Sequence, residues 1–241
     1  MNINKQNLNC LTITNSGYQN YTLNLINSIL KNKIDLNIEV YCLDKKVYKF
    51  FNEYSELVTP VDISNQVNEE IVEFKEQKSV DFYKIVYNKF IAINNSLDRF
   101  EYTLFIDGDI VIKKNFIDFF NKIIGENDML IQDNFNLGRT KKEELNSGFF
   151  LLKSNKTTKY LFNPKNIALK KFKKFKVHDQ TYINKIKKKL KYEKLPLDYF
   201  PNGAHFYRNF QNIDPYIIHF NWIMGEEKIK KMKEYSEWYE N

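Results

Sequence analysis

Asp107 and Asp109 stand one residue apart in Leu104-Phe105-Ile106-Asp107-Gly108-Asp109-Ile110-Val111, two carboxylates bracketed by apolar strand formers. Acids that close repel one another, and a divalent cation bound through oxygen ligands keeps both ionised. Gly108 lets the backbone bend and a ligand approach. The same residues also fit a plain strand followed by an acidic turn, because Asp-x-Asp is a short pattern. Asp133 closes a short apolar segment that starts at Met129. Leu145-Asn146-Ser147-Gly148 reads as a polar turn opening another apolar run, with amide and hydroxyl groups suited to sugar hydroxyls and a glycine that permits close backbone contact. An ordinary β-turn accounts for the same four residues. His178-Asp179-Gln180-Thr181 reads as a helix start with Asp179 as its cap. Finally, residues 216–220 form an apolar segment carrying His219 near its end, followed by Trp222, Gly225 and Lys228. A lone histidine there is ordinarily a hydrogen-bonded core residue, but this one follows an aspartate pair that lacks a third ligand.

The elements that must position these groups alternate. Residues 8–14 are a strand pattern ended by Asn15-Ser16-Gly17, and residues 21–30 then carry apolar side chains at helical spacing. Residues 38–43 are a second strand closed by Asp44, with a helix following through Phe51. Strand, helix, strand in this order predicts a right-handed parallel unit. Phe82, Ile85, Val86, Lys89, Phe90 and Ile93 line a predicted helix that leads into the segment 104–111. That segment reads as one strand buried on both faces, with Asp107 and Asp109 where it gives out. In open α/β sheets ligands bind at the carboxyl ends of the strands, where Thr14, Asp44 and Asp107 all fall.

Composition sets the frame. A chain of 241 residues, 43% hydrophobic and 28% charged, can bury a full core and is not disordered. No early stretch is apolar enough for a signal peptide or membrane span, so a soluble, cytoplasmic protein is expected. Cys10 and Cys42, each in an apolar segment, are expected as buried free thiols. The net charge of +7 is uneven: Lys170, Lys171, Lys173, Lys174 and Lys176 form one run, and Lys185, Lys187, Lys188, Lys189, Lys191 and Lys194 another. Such runs are commonly solvated faces, and the functional reading is a basic rim for an anionic ligand or a membrane surface. Nucleic acid is not favoured, since neither zinc-finger spacing nor an RNA-binding aromatic motif is present. Ile229, Met232, Tyr235 and Trp238, at near-helical spacing over 226–238, fit either a helix packed on the domain or a basic amphipathic helix on a membrane.

The chain resembles the nucleotide-diphospho-sugar transferases of the GT-A type, and within them the glycosyltransferase family 77-like group. The resemblance runs in order through Tyr41-Cys42-Leu43-Asp44, Phe82 and Lys89, Asp107-Gly108-Asp109, Asp133, Asn146-Ser147-Gly148-Phe149-Phe150, Asp179-Gln180, and His219 with Gly225 and Lys228. It departs at Gly108, where many relatives carry a larger residue, and at Ile112-Lys113-Lys114, where an aromatic-rich segment is usual. It implies one α/β domain over residues 1–241 with a Rossmann-like, mostly parallel central sheet flanked by helices. Residues 1–110 would be its nucleotide-binding half, and 111–241 its acceptor and sugar half with a C-terminal helix.

The resemblance also implies roles. Asp109 would bind Mn²⁺ or Mg²⁺ directly, Asp107 would touch the ribose or reach the metal through water, and His219 would complete the metal site. Gly225 and Lys228 would meet the donor phosphates, with Lys89 as a further cation there. Thr14, Asn15 and Tyr18 would hold the nucleoside, Tyr18 by stacking on the base, although plain core packing also suits that ring. Asp133, Asn146, Ser147 and Gly148 would line the sugar and acceptor side, and Asp179 and Gln180 would lie beside the anomeric carbon. The implied activity moves a sugar from a nucleotide-diphosphate donor, UDP-linked in preference to GDP-linked, to a glycan, lipid-linked or protein acceptor with retention of the α configuration. Two other readings stand beside it: a haloacid-dehalogenase-like phosphatase built on Asp107-Gly108-Asp109-Ile110-Val111, and a catalytically inert basic binding module of the same fold.

Overall fold

The computed structural model describes residues 2–66, 80–134, 144–167 and 178–239. The side chains of Phe82, Ile85 and Val86 and the lysine run 170–176 lie outside the described residues. The elements in chain order are β1 (Leu8–Thr14), α1 (Gln19–Lys31), β2 (Ile38–Cys42), α2 (Lys45–Asn52), β3 (Thr59–Asp62), α3 (Val80–Leu97), β4 (Tyr102–Ile106), β5 (Ile110–Ile112) and α4 (Ile117–Ile123). There follow β6 (Met129–Asp133), β7 (Leu145–Lys153), α5 (Lys156–Phe162), α6 (Asp179–Ile186), β8 (Tyr192–Leu195), α7 (Gly203–Asn209), β9 (Ile217–His219) and α8 (Glu226–Glu234).

Seven strands form one sheet in the order β3-β2-β1-β4-β7-β6-β8. Neighbours are parallel except at β4–β7 and β6–β7, so the sheet is mostly parallel, as the sequence predicts. Every residue of β2 and β4 is buried, the condition that apolar runs covered on both faces satisfy. The pleat sends adjacent side chains to opposite layers. Phe149 joins Phe116, Phe120 and Phe200 beneath one face, while Phe150 stacks on Phe105 beneath the other. Cys10 and Cys42 are buried free thiols, pushed up to about 12 by burial.

Three local expectations are corrected. Segment 104–111 is not one strand: β4 stops at Ile106, the chain turns with the Ile110 N–H donating to the Asp107 carbonyl at 3.1 Å, and β5 starts a separate two-stranded sheet with β9. An Asp-Gly-Asp turn breaks the apolar run, and antiparallel pairing then sets Ile110 opposite His219. Residues 145–148 are not a free turn but the start of β7. There the register with β6 jumps, Ile131 facing Phe150 and Gln132 facing Asn146, because the Asn146 side chain accepts the Gly148 N–H at 2.8 Å and closes a bulge. Asp179 does not cap its helix: His178 holds the N-cap position, and the Asp179 carboxylate turns inward to Lys89.

The C-terminal helix ends at Glu234, short of Trp238, and the chain passes through a left-handed Ser236 (φ 59°). Met232 is buried, and Ile229, Tyr235 and Trp238 pack with Tyr21, Phe206 and Phe220, which favours the packed reading of this segment. Asn24 and Asn27 of α1 donate to the carbonyls of Glu237 and Tyr239 at 3.0 and 2.9 Å, and this tie holds α8 against the site.

Candidate active site

Asp107 and Asp109 lie at the carboxyl end of β4, and the β5–β9 pairing brings His219 to them. One ligand atom from each of Asp107, Asp109 and His219 falls within 4.8 Å of the others. His219 Nε2 is 3.2 Å from Asp109 and 4.0 Å from Asp107. Gly148 makes room for this convergence: a methyl group there would lie 2.3 Å from His219 Cε1 and 2.6 Å from the Asp107 carboxylate. The space beside Gly108 is taken by α1 rather than left for a ligand, since a methyl group there would meet the Thr22 hydroxyl at 2.8 Å.

Two lysines enter from opposite sides. Lys228, in the first turn of α8, pairs with Asp109. Lys89, buried on α3, spends its three N–H donors on Asp179 (2.5 Å), Asp107 (3.3 Å) and the Ser147 carbonyl (3.3 Å), and lies over the Phe105 ring. It is therefore an internal strut rather than a free cation. Burial alone would lower its ammonium, and Asp107 and Asp179 outweigh that and raise it.

The carboxylates are driven apart in acidity. Burial raises Asp109, but Lys228 and then His219 outweigh it and hold it far below the ordinary carboxylate range. Burial likewise raises Asp179, and Lys89 together with His178 outweighs it and holds the carboxyl below its ordinary range. Asp107 moves the other way: partial burial lifts it, Lys89 opposes, and the neighbouring charge of Asp109 adds to the rise. Three carboxylates thus face two ammonium groups, an excess of negative charge that suits a further cation.

The other residues picked out in the sequence divide into those at this centre and those used elsewhere. The Thr14 hydroxyl accepts from Thr22 at 2.9 Å, and the Asn15 side chain accepts the Tyr18 N–H at 3.0 Å, so both shape the loop after β1. Tyr18 is half-buried, and its hydroxyl is raised by burial, then by Asp109 and Asp107, which places it in the field of the pair. Gly225 adopts φ 58° and ψ −144°, a glycine conformation, and its carbonyl accepts the Tyr21 hydroxyl at 3.0 Å. Gln180 is half-buried, one residue beyond Asp179. Asp133 pairs with Lys194 at 2.8 Å, and Asn146 serves the bulge. Ser147 offers its carbonyl to Lys89. Lys185, Lys188, Lys189 and Lys191 are exposed, as a solvated face requires.

Gln132 was not legible as a site residue. It is fully buried and reaches His219 Nδ1 at 2.7 Å. A polar residue interrupting the apolar run Met129-Leu130-Ile131 is the only signal the sequence holds for it.

The nucleotide-diphospho-sugar transferase model matches residues 33–234. A Dictyostelium discoideum protein described as a UDP-galactose:fucoside alpha-3-galactosyltransferase is 28% identical over 98% of this chain. The chain spans 44% of that relative's length. Among solved structures, the glycosyltransferase GlyE of Streptococcus pneumoniae TIGR4 superposes with a TM-score of 0.61 at 17% identity, covering 94% of this chain and 60% of GlyE. The galactosyltransferase LgtC, solved with donor and acceptor sugar analogues, gives 0.57 at 9% identity, covering 88% of this chain and 86% of its own. These two likenesses establish a shared fold.

Proposed function

The chain belongs to the nucleotide-diphospho-sugar transferase family, and on that premise we propose that it is a metal-dependent glycosyltransferase. It takes its sugar from a UDP-linked donor and passes it, with retention of the α configuration, to a glycan, lipid-linked or protein acceptor. The observation that carries this reading is the convergence of Asp107, Asp109 and His219 on one point at the carboxyl ends of the strands.

The residues fit a divalent cation. Two carboxylates and an imidazole meet within 4.8 Å, Gly148 clears the space between them, and the charge excess is negative. A mixed oxygen and nitrogen donor set suits Mn²⁺ better than Mg²⁺. When bound, such a cation supplies charge that offsets what develops on a diphosphate leaving group.

The chain's own groups do the rest. Lys228, now on Asp109, is close enough to turn its ammonium to a diphosphate as a point charge. Tyr18, half-buried and packed against Tyr21, is the ring assigned to stack on a base. Asp179, kept ionised by Lys89, and Gln180 beside it supply oxygens to an oxocarbenium-like sugar, with Asp133 toward the acceptor. The name of the Dictyostelium relative puts UDP-galactose first among donors to try. The phosphatase reading needs a further acidic pair, and among the described residues the third group at the centre is His219. No helix among the described residues is long and apolar enough to cross a membrane.

The test is nucleotide release from a panel of UDP- and GDP-sugars with Mn²⁺ or with a chelator. Slow release from one UDP-sugar that stops on chelation is expected, and with a fucoside added as acceptor, the class named for the Dictyostelium relative, an α-linked product by the anomeric proton's NMR signal. A folded protein that releases nothing from any donor would contradict it.

A further inference from the structure

We infer that Gln132 is the positioning residue that fixes the His219 ring with a proton on Nδ1, leaving Nε2 as the nitrogen that faces Asp107 and Asp109 and gives its lone pair to a cation when one is bound. The inference rests on the reading of these three residues as a cation site. The Gln132 amide nitrogen donates to two backbone carbonyls, Phe200 at 3.1 Å and Pro201 at 3.0 Å. Turning the amide round would set its oxygen against both carbonyls, where neither side has a proton to give. Its Oε1 therefore faces His219 Nδ1 at 2.7 Å and accepts from it. The remaining ring nitrogen is the one 3.2 Å from Asp109. Gln132 and His219 are 0% and 3% exposed, so no water competes for the contact. The bulge between β6 and β7 gives Gln132 this aim by shifting it opposite Asn146. An outer partner of this kind fixes both the tautomer and the ring plane of a ligating histidine.

Mn²⁺ alone, titrated by electron paramagnetic resonance without nucleotide, tests this on wild type, Gln132→Met, His219→Ala and the double variant. Gln132→Met is expected to weaken Mn²⁺ binding about 10–100-fold, and to cost nothing more once His219 is gone. Nitrogen-15 NMR of the Mg²⁺-loaded wild type should show a protonated Nδ1 and a bare Nε2 on His219, a readout that holds even if Gln132→Met folds poorly. Wild-type affinity in Gln132→Met with a weakened His219→Ala would overturn the role of Gln132 alone. An equal loss in both backgrounds, or a proton on Nε2 instead, would do the same. Undiminished affinity in His219→Ala would remove the cation site itself.

Discussion

Two groups of buried charge occupy opposite ends of the same strands and have opposite characters. Toward the amino ends of β1 and β2, Glu39 receives both forks of Arg99 at 2.8 and 2.7 Å, the Asn9 amide at 2.9 Å and the Tyr41 hydroxyl at 3.1 Å. One acid meets one base, and its oxygens are fully engaged by donors. At the carboxyl ends, three carboxylates meet two lysines, and one possible ligand atom from each of Asp107, Asp109 and His219 falls within 4.8 Å of the others. Burial and perturbed acidity are common to both clusters. Convergence of acceptors with an excess of negative charge belongs to the second alone, and it separates a site from a strut.

The contrast is sharpest in Asp109→Asn. Removing a ligand from the convergent cluster should lower Mn²⁺-dependent nucleotide release by roughly 10³-fold, several kcal/mol of lost charge stabilisation. Next is Gly148→Ala, whose methyl group would press on His219 and Asp107 at 2.3 and 2.6 Å. Strain of about 1–3 kcal/mol should appear as roughly a 10- to 100-fold loss of Mn²⁺ affinity by calorimetry. Unchanged affinity there would break the claim that this glycine makes the site.

Glu39→Gln should do the reverse, leaving Mn²⁺ affinity alone and lowering stability by about 1 kcal/mol, the low end for a buried bond because Arg99 is 47% exposed on its side. Thermal unfolding with a fall of a few degrees checks it. The same variant carries a pH signature. Burial raises Glu39, the hydrogen bonds from Arg99, Asn9 and Tyr41 with the Arg99 charge together outweigh it, and its carboxyl is held below the ordinary value. The stability it contributes is thus fully present above about pH 4.3 and lost as pH falls through the lower folded value. Glu39→Gln should flatten that part of the acid limb of the unfolding profile. The smallest effect is expected from Lys228→Met: with no ammonium competing for Asp109, Mn²⁺ alone should bind a few-fold tighter, while affinity for the donor diphosphate falls.

Much of this was legible in the chain, and the losses have physical causes. The central strands announce themselves as apolar runs, and the order of Asp107-Gly108-Asp109, Asp179-Gln180 and His219 gave the family. The division of 104–111 into β4 and β5 did not show, because β5 exists only through pairing with a strand more than a hundred residues later. Lys89 looks like any helix lysine until α3 is laid on β4 and its ammonium meets Asp107 and Asp179. Asp179 carries a cap residue's side chain, but His178 precedes it in extended conformation and takes that place. Gln132 lies beyond any local pattern, since its partner on β9 is 87 residues away.

Calorimetric titration of UDP, with and without Mn²⁺, tests most directly whether the convergent cluster is a cation-dependent nucleotide site. UDP should bind with Mn²⁺ present, lose that binding on chelation and in Asp109→Asn, and keep it in Glu39→Gln. Binding of equal strength without metal, or unaltered by Asp109→Asn, would contradict the assignment.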